Sequence, residues 1–228
     1  WEHLLNQSSD WHGNLFGINH WEDRPDRRKN IDDWRTEVQR EPGTYYKYND
    51  VRVNVLAYSL LQVYRKSLPM VLKNYIMDPI EASDSWRWYG YENSWVNIDG
   101  LMVQSVSGGG HNGGGVFINS EDHARFGLLY LNNGIWNDKK IISKDWIKKS
   151  ITPSKTNPEY GYMWWINSEK GEDYATSDWK NVPTNVYYGA GFGGNYVVII
   201  PDENMIVVGR WLGRETIGTF IQMILESK

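Results

Sequence analysis

The sequence predicts an α+β protein: an antiparallel sheet flanked by helices, joined to a mostly helical, loop-rich lobe. Three observations carry this. Up to about Pro153, apolar residues recur at helical spacing between polar or aromatic stretches. Beyond it, short β-rich runs alternate with turn residues. The chain then closes on Ile217, Phe220, Ile221 and Ile224, an apolar helical stripe directly after the last strand. The expected division is residues 1–152 for the lobe and 153–228 for the sheet and its helix, interleaved as one domain.

Each element follows from local chemistry. Residues 1–7 form a short helix with Leu4 and Leu5 apolar. Residues 8–43 are polar and turn-rich, mostly loop, with a helical piece near Ile31 to Val38. Thr44 to Tyr48 reads as extended. Asn49 or Asp50 caps a helix running to about Tyr64, because a short polar side chain accepts from the free N–H groups of a first turn. Val53, Leu56, Leu60 and Val63 share one face of that helix. A second helix, Pro69 to Ile76, stops before Asp78-Pro79. Asp84 to Asp99 is aromatic and irregular, and Leu101 to Ser107 reads as a strand. Ser120 caps a helix over Glu121 to Asn132, with Ala124, Leu128 and Leu131 on one side and Gly134 as its stop. Ser143 caps a short helix through Lys149. Strands follow at Tyr160–Ile166, Val186–Gly191, Tyr196–Ile200 and Ile206–Trp211, the last two joined by a turn at Pro201 to Asn204.

Composition narrows the function classes. The 228 residues carry a net charge of −4 and no basic stripe, so nucleic acid is not an expected partner. The absence of cysteine excludes disulfides, thiolate catalysis and cysteine zinc sites. No apolar run is long enough for a membrane span. The chain opens on Trp1 with no signal-peptide pattern, which says nothing about export. Thirteen Trp and 15 Tyr against 5 Phe supply flat apolar faces with a polar handle, suited to pocket rims as well as cores.

Three constellations carry chemistry. Tyr48-Asn49-Asp50 puts a phenol and a carboxylate at the mouth of a helix. A tyrosine with a pKa of about 10 is a poor base unless a nearby cation lowers it, and the plainer reading is packing or capping. Ser107 to Gly115 holds two glycine triplets around His111, a backbone able to approach a ligand closely or simply a tight loop. His111 has no carboxylate partner in sequence, and His3, His12, His20 and His123 lack metalloprotease spacing, so no metal is expected. In Tyr188 to Gly194, the small residues Gly189, Ala190 and Gly191 leave strand N–H and C=O groups open to an extended substrate or an oxyanion. The same glycines fit a bulge.

Taken together and in order, these motifs resemble the serine beta-lactamase and penicillin-binding-protein superfamily, in its class C and esterase-like branch. His3-Leu4-Leu5-Asn6-Gln7-Ser8-Ser9-Asp10 is similar to that family's "HLLTHTSG" segment. Tyr48-Asn49-Asp50 stands at its Tyr-x-Asn, and Val55-Leu56-Ala57 at the "LLG" that follows. Ser107 to Gly115 with Ser120 to Gly127 resembles its glycine turn and following helix, and Gly189-Ala190-Gly191 its Lys-Thr-Gly strand. The resemblance implies a beta-lactamase/transpeptidase-like fold, an acyl-enzyme hydrolase without cofactor, a small ester, amide or peptide substrate, and an extracytoplasmic location.

The resemblance also has breaks. The family's Ser-x-x-Lys nucleophile motif lies upstream of the segment where this chain begins, so the N-terminal part of the fold is expected to be missing and the chain alone inactive. Ser177-Asp178-Trp179-Lys180 matches literally but falls late, among polar residues, and reads as chance. Asp50 replaces an amide and can only accept. Gly189 replaces a lysine that would bind a beta-lactam carboxylate, which favours an esterase, amidase or peptidase-like hydrolase. The resemblance implies proton transfer by Tyr48, orientation of substrate or lysine by Asp50, and an oxyanion donor near Ala190 or Gly191. It places Trp86, Trp88, Tyr89 and Tyr91 at the cleft mouth with His111 near it. The alternative is a non-catalytic peptide- or sugar-binding module of the same fold; an unrelated aromatic-rich lectin is weakened by the helices at Val51 and Glu121. An uncovered sheet edge is expected to make the isolated chain self-associate.

Overall fold

The computed structural model describes residues 1–23, 30–108, 114–168, 179 and 181–227, with the side chains of Ile31 and Trp34 left out. The chain folds into two compact units, residues 1–74 with 86–117, and residues 75–85 with 118–228.

The first unit is built around one long helix. Its elements are α1 (Glu2–Leu5), the hairpin β1 (Asn14–Leu15) and β2 (Ile18–Asn19), α2 (Ile31–Arg35), α3 (Asp50–Tyr64) and α4 (Leu68–Leu72). Two further antiparallel pairs follow: β3 (Arg87–Tyr89) with β6 (Gly115–Phe117), and β4 (Trp95–Ile98) with β5 (Leu101–Gln104). Asn49 is the cap of α3, its Oδ1 accepting from Arg52 N at 3.1 Å. The helix stops at Arg65, which takes a left-handed φ of +52° and returns its N–H to Leu61 O.

The single apolar stripe expected on α3 is not what forms. Val53 and Leu56 are buried, but Val63 is 64% exposed. Ala57 and Leu61 pack instead against Leu68, Ile98 and Val106. The first turn is buried all round, Asp50 to Asn54 included, so burial follows the helix's depth in the unit rather than one face. The helix expected over 69–76 splits into α4 and a wider π turn, Lys73–Met77. The stretch expected to be irregular holds β3 and β4. Asp99 and Gly100, at φ +51° and +88°, make the tight turn between β4 and β5, which ends the second strand at Gln104 rather than Ser107.

The second unit contains α5 (Ser120–Leu131), the hairpin β7 (Ile135–Trp136) and β8 (Lys139–Lys140), and α6 (Lys144–Ser150). The sheet strands β9 (Trp165–Ile166), β10 (Tyr187–Gly191), β11 (Asn195–Ile200) and β12 (Met205–Gly209) follow, then α7 (Arg214–Glu226). The sheet runs β12-β11-β10-β9, every pair antiparallel. Side chains alternate across it as a strand period of two requires. Tyr188, Val198 and Ile200 pack with Ile217 and Ile221 of α7. Tyr187, Val197 and Ile199 pack with Tyr130 of α5 and Ile147 of α6. With both faces covered, β11 is the apolar centre of the unit.

Two local expectations change here. Asn119, not Ser120, caps α5, its Oδ1 accepting from Asp122 N at 2.8 Å. The buried face of α5 is Asp122, Gly127, Leu129 and Tyr130, because Asp122 has polar partners that let it go inside: it accepts from Ser83 N at 2.9 Å and Ser83 Oγ at 2.6 Å. The strand expected over 160–166 shortens to Trp165–Ile166, since Met163 turns into the left-handed region at φ +61°.

A candidate acyl-transfer site

Tyr48 is half-buried, and its two neighbours are pinned by one residue from the start of the chain. Lys47 N donates to Gln7 O at 3.0 Å, and Asn49 N donates to Gln7 Oε1 at 3.1 Å. Gln7 is fully buried, and its Nε2 has no acceptor among the described residues. Asn49 also donates through Nδ2 to His20 O at 2.7 Å. The phenol is therefore carried on a backbone fixed on both sides. Asp50 is buried, and its N–H donates to Asp23 Oδ2 at 2.5 Å.

Inside the run Val51–Leu61, the Arg52 side chain braces this seat through the Lys47 carbonyl. Arg52 is 1% exposed and reaches two segments: Asp10 Oδ1 at 2.7 Å and Trp11 O at 3.2 Å in one, Lys47 O at 3.4 Å in the other. Asp10 accepts in addition from Arg40 N at 2.8 Å. Burial pushes the Asp10 carboxyl up, but the Arg40 N–H and the Arg52 charge outweigh it and hold it below its ordinary value. His12 and His20 stack at 4.0 Å, and burial keeps both imidazoles below their ordinary value.

One turn further, Asn54 Oδ1 accepts from Ser107 Oγ at 3.0 Å and from Gly108 N at 2.9 Å, while its Nδ2 donates to Tyr91 OH at 2.7 Å. Asn54 thus fixes Ser107 and Gly108, the first residues of the glycine-rich segment. Glycine at 108 also leaves room for Val53: a Cβ there would crowd Val53 Cγ1. Burial raises the Tyr91 phenol above its ordinary pKa, and the nearby charges of Asp50 and Asp23 add to the rise. Gln7, Arg52 and Asn54 were not among the residues singled out in the sequence. A signal was present for the last two, a charge and an amide inside an otherwise apolar run.

The substrate-strand residues belong to the second unit. Gly189 is half-buried, Ala190 and Gly191 exposed. β9 pairs with Tyr187 and Tyr188 only, so over Gly189 to Gly191 the outer side of β10 has no strand partner among the described residues. β10 is thus an edge only over the three residues expected to present open backbone groups. The turn beyond is held by Gly193 and Gly194, at φ +75° and +78°, with Gly194 O accepting from Leu212 N at 3.1 Å. Of the remaining candidates, Trp86 is buried, Trp88 donates through Nε1 to Ser107 O at 2.7 Å, and Tyr89 is exposed. His111 lies outside the described residues, as do Ser177, Asp178 and Lys180. Among the described residues no group of His, Asp and Glu could hold a metal, and no helix is long and apolar enough to cross a membrane.

The Beta-lactamase family model matches residues 1–209. The chain belongs to the beta-lactamase family. Solved structures agree with its fold. A beta-lactamase from Mycobacterium bovis is 15% identical, with a TM-score of 0.65 over 99% of this chain and 73% of its own. A penicillin binding protein from Bacillus halodurans is 17% identical, with a TM-score of 0.62 over 97% and 71%. A presumed 6-aminohexanoate-dimer hydrolase from Bacillus anthracis is 18% identical, with a TM-score of 0.59 over 99% of this chain. The chain spans 60% of the length of that last protein. At these identities the family likeness in structure is one of fold. No curated protein matches the chain.

Proposed function

We propose that this chain carries the proton-transfer and substrate-strand parts of a beta-lactamase-related serine hydrolase that cleaves an ester, amide or peptide through an acyl-enzyme. The nucleophilic serine, in this reading, comes from residues outside this chain. The observation that supports it most is the seat of Tyr48: a tyrosine at the mouth of α3 whose neighbours on both sides are hydrogen-bonded to the buried Gln7. Packing alone does not call for that much fixing of a half-buried phenol; proton transfer does, because it depends on holding the donor within hydrogen-bond reach of the reacting group.

Tyr48 passes the proton between nucleophile and leaving group. Asp50 orients the substrate or the lysine partner of the serine. A backbone N–H near Ala190 or Gly191 receives the developing oxyanion as half of the oxyanion hole, where one such donor contributes about 3 kcal/mol in the transition state. With glycine at 189, no lysine stands ready for a beta-lactam carboxylate, which directs the reading toward esters and amides.

The test compares this chain with a longer version bearing a Ser-x-x-Lys segment before Trp1. The longer protein is expected to hydrolyse a nitrophenyl ester and to bind a serine-directed phosphonate at that serine, and Tyr48→Phe is expected to slow turnover by about 100-fold or more. This chain alone is expected to do neither. Stoichiometric phosphonate labelling of a serine within residues 1–228 would overturn the reading and bring Ser177 forward.

A further inference from the structure

The first unit contains a cavity of about 540 Å³ lined by Phe16, Ile18, Tyr91, Glu92 and Asn93. Three of these five residues are apolar or aromatic, and Asn93 is polar but uncharged. The fifth, Glu92, is exposed and without a hydrogen bond or ion pair among the described residues.

Phe16 is held over this space at a cost. It sits at φ +52°, and with Gly17 at +83° it forms the tip of the β1–β2 hairpin. Such turns favour asparagine or aspartate first and glycine second; a bulky aromatic in the left-handed region is strained. Asn93 Nδ2 clamps the strained residue by donating to Phe16 O at 2.7 Å, and Tyr58 of α3 meets its ring edge-on at 5.7 Å. Strain kept where a polar residue would relax it points to a use for the ring itself. The charges of Asp50 and Asp23, both acids, bear on its Tyr91 wall, and Glu92 lines the same space.

We infer that this cavity binds an organic ammonium group on a compact apolar body, the cation meeting the Glu92 carboxylate and the apolar part lying against Phe16, Ile18 and Tyr91. An ammonium is favoured both by a carboxylate and by the face of an aromatic ring, and each loses less when the site is partly shielded from water. Tyr91 joins the cavity to α3 through Asn54. The inference rests on the hydrolase reading in one respect only, that the ammonium-bearing molecule is the substrate.

Calorimetric titration of this chain with 2-phenylethylammonium tests it, with 2-phenylethanol as the uncharged counterpart. Saturable binding of the ammonium is expected, weakened about tenfold by Glu92→Gln, with the alcohol weaker and indifferent to that change. Glu92 is exposed, so the variant is expected to melt like the parent. Phe16→Asn is expected to weaken binding while leaving the melting temperature the same or higher, because asparagine suits the turn. Absence of saturable binding, equal affinity for the alcohol, or an unchanged affinity in Glu92→Gln would each overturn the inference. The outcome is independent of catalysis: a longer protein with no esterase activity but intact ammonium binding removes the hydrolase reading and leaves the site, and the reverse pattern removes only the site.

Discussion

Replacing Asp10 with alanine should destabilise the first unit severely, for a reason that can be separated from lost contacts in general. Asp10 and Arg52 are each about 1% exposed and meet at 2.7 Å. Without the carboxylate, the partners left to Arg52 among the described residues are two carbonyls, Trp11 O at 3.2 Å and Lys47 O at 3.4 Å, neither of them charged. Breaking a buried pair by removing one partner typically costs about 3–5 kcal/mol, because the other charge stays buried and uncompensated. Against a typical total of about 5–15 kcal/mol, such a loss threatens folding itself. The assay is urea unfolding followed by tryptophan fluorescence and far-ultraviolet circular dichroism. The paired replacement Asp10→Asn with Arg52→Met removes both charges, keeps at position 10 a residue that tolerates its left-handed φ of +42° and can still accept from Arg40 N, and is expected to recover much of the loss. Acid gives an independent signature. The folded carboxyl titrates below its ordinary value of 3.8, so its contribution is complete above that value and is lost as pH falls through the folded value. The reasoning is refuted if Asp10→Ala costs less than about 1 kcal/mol, or if the double variant is no more stable than the single one.

Two further outcomes are expected. Burial, reinforced by the Arg210 guanidinium, lowers His123 to about 4 from 6.5, with Arg210 Nη1 3.0 Å from Nδ1. The unfolded chain therefore binds this proton first as pH falls: stability is complete above pH 6.5 and declines down to about pH 4, by a total of about 3 kcal/mol. His123→Gln should flatten that part of a stability–pH curve, and an unaltered slope would mean that His123 is not its source. Gly194→Ala adds a Cβ that collides with the carbonyl of Leu212 at φ +78°, whereas Gly100→Ala, at φ +88°, meets nothing within 4 Å. Both should pay about 1 kcal/mol for the left-handed backbone, and only Gly194→Ala more than about 2 kcal/mol in thermal or urea melts. Equal losses would show that the turn moves freely away from Leu212.

What could be read in the sequence was what is local. The caps Asn49 and Ser143, the strand pair joined through Pro201 to Asn204 and the stripe through Ile217 and Ile221 all depend on neighbours a few residues apart, and the structure has them. The order of short motifs was enough for the family. Asp99-Gly100 was a local signal too, a hairpin dipeptide hidden by the aromatic residues before it. What escaped was decided at a distance. Val63 was expected inside and Leu61 not singled out, because which side of α3 is covered depends on Ile98 and Val106. Asp122 goes inside through Ser83, 39 residues earlier. The supports of the candidate site are of the same kind: Gln7 and Asp10 each reach α3 or its cap across 42 residues, and Asn54 reaches Ser107 across 53.

Those separations bear on how the protein acquires its shape. The peptide groups either side of Tyr48 are tied to a residue near the beginning of the chain, so the tyrosine has no fixed position until that long loop has closed. Loop closure costs entropy before it returns any contact, and contacts distant in sequence slow a folding reaction accordingly. Helix α3 can form early from its own propensity, yet its capping residue Asn49 is not anchored to Gln7 and His20 until the earlier segment arrives. The tyrosine's alignment is therefore a late event, one that reports completion of the whole unit rather than of the helix that bears it.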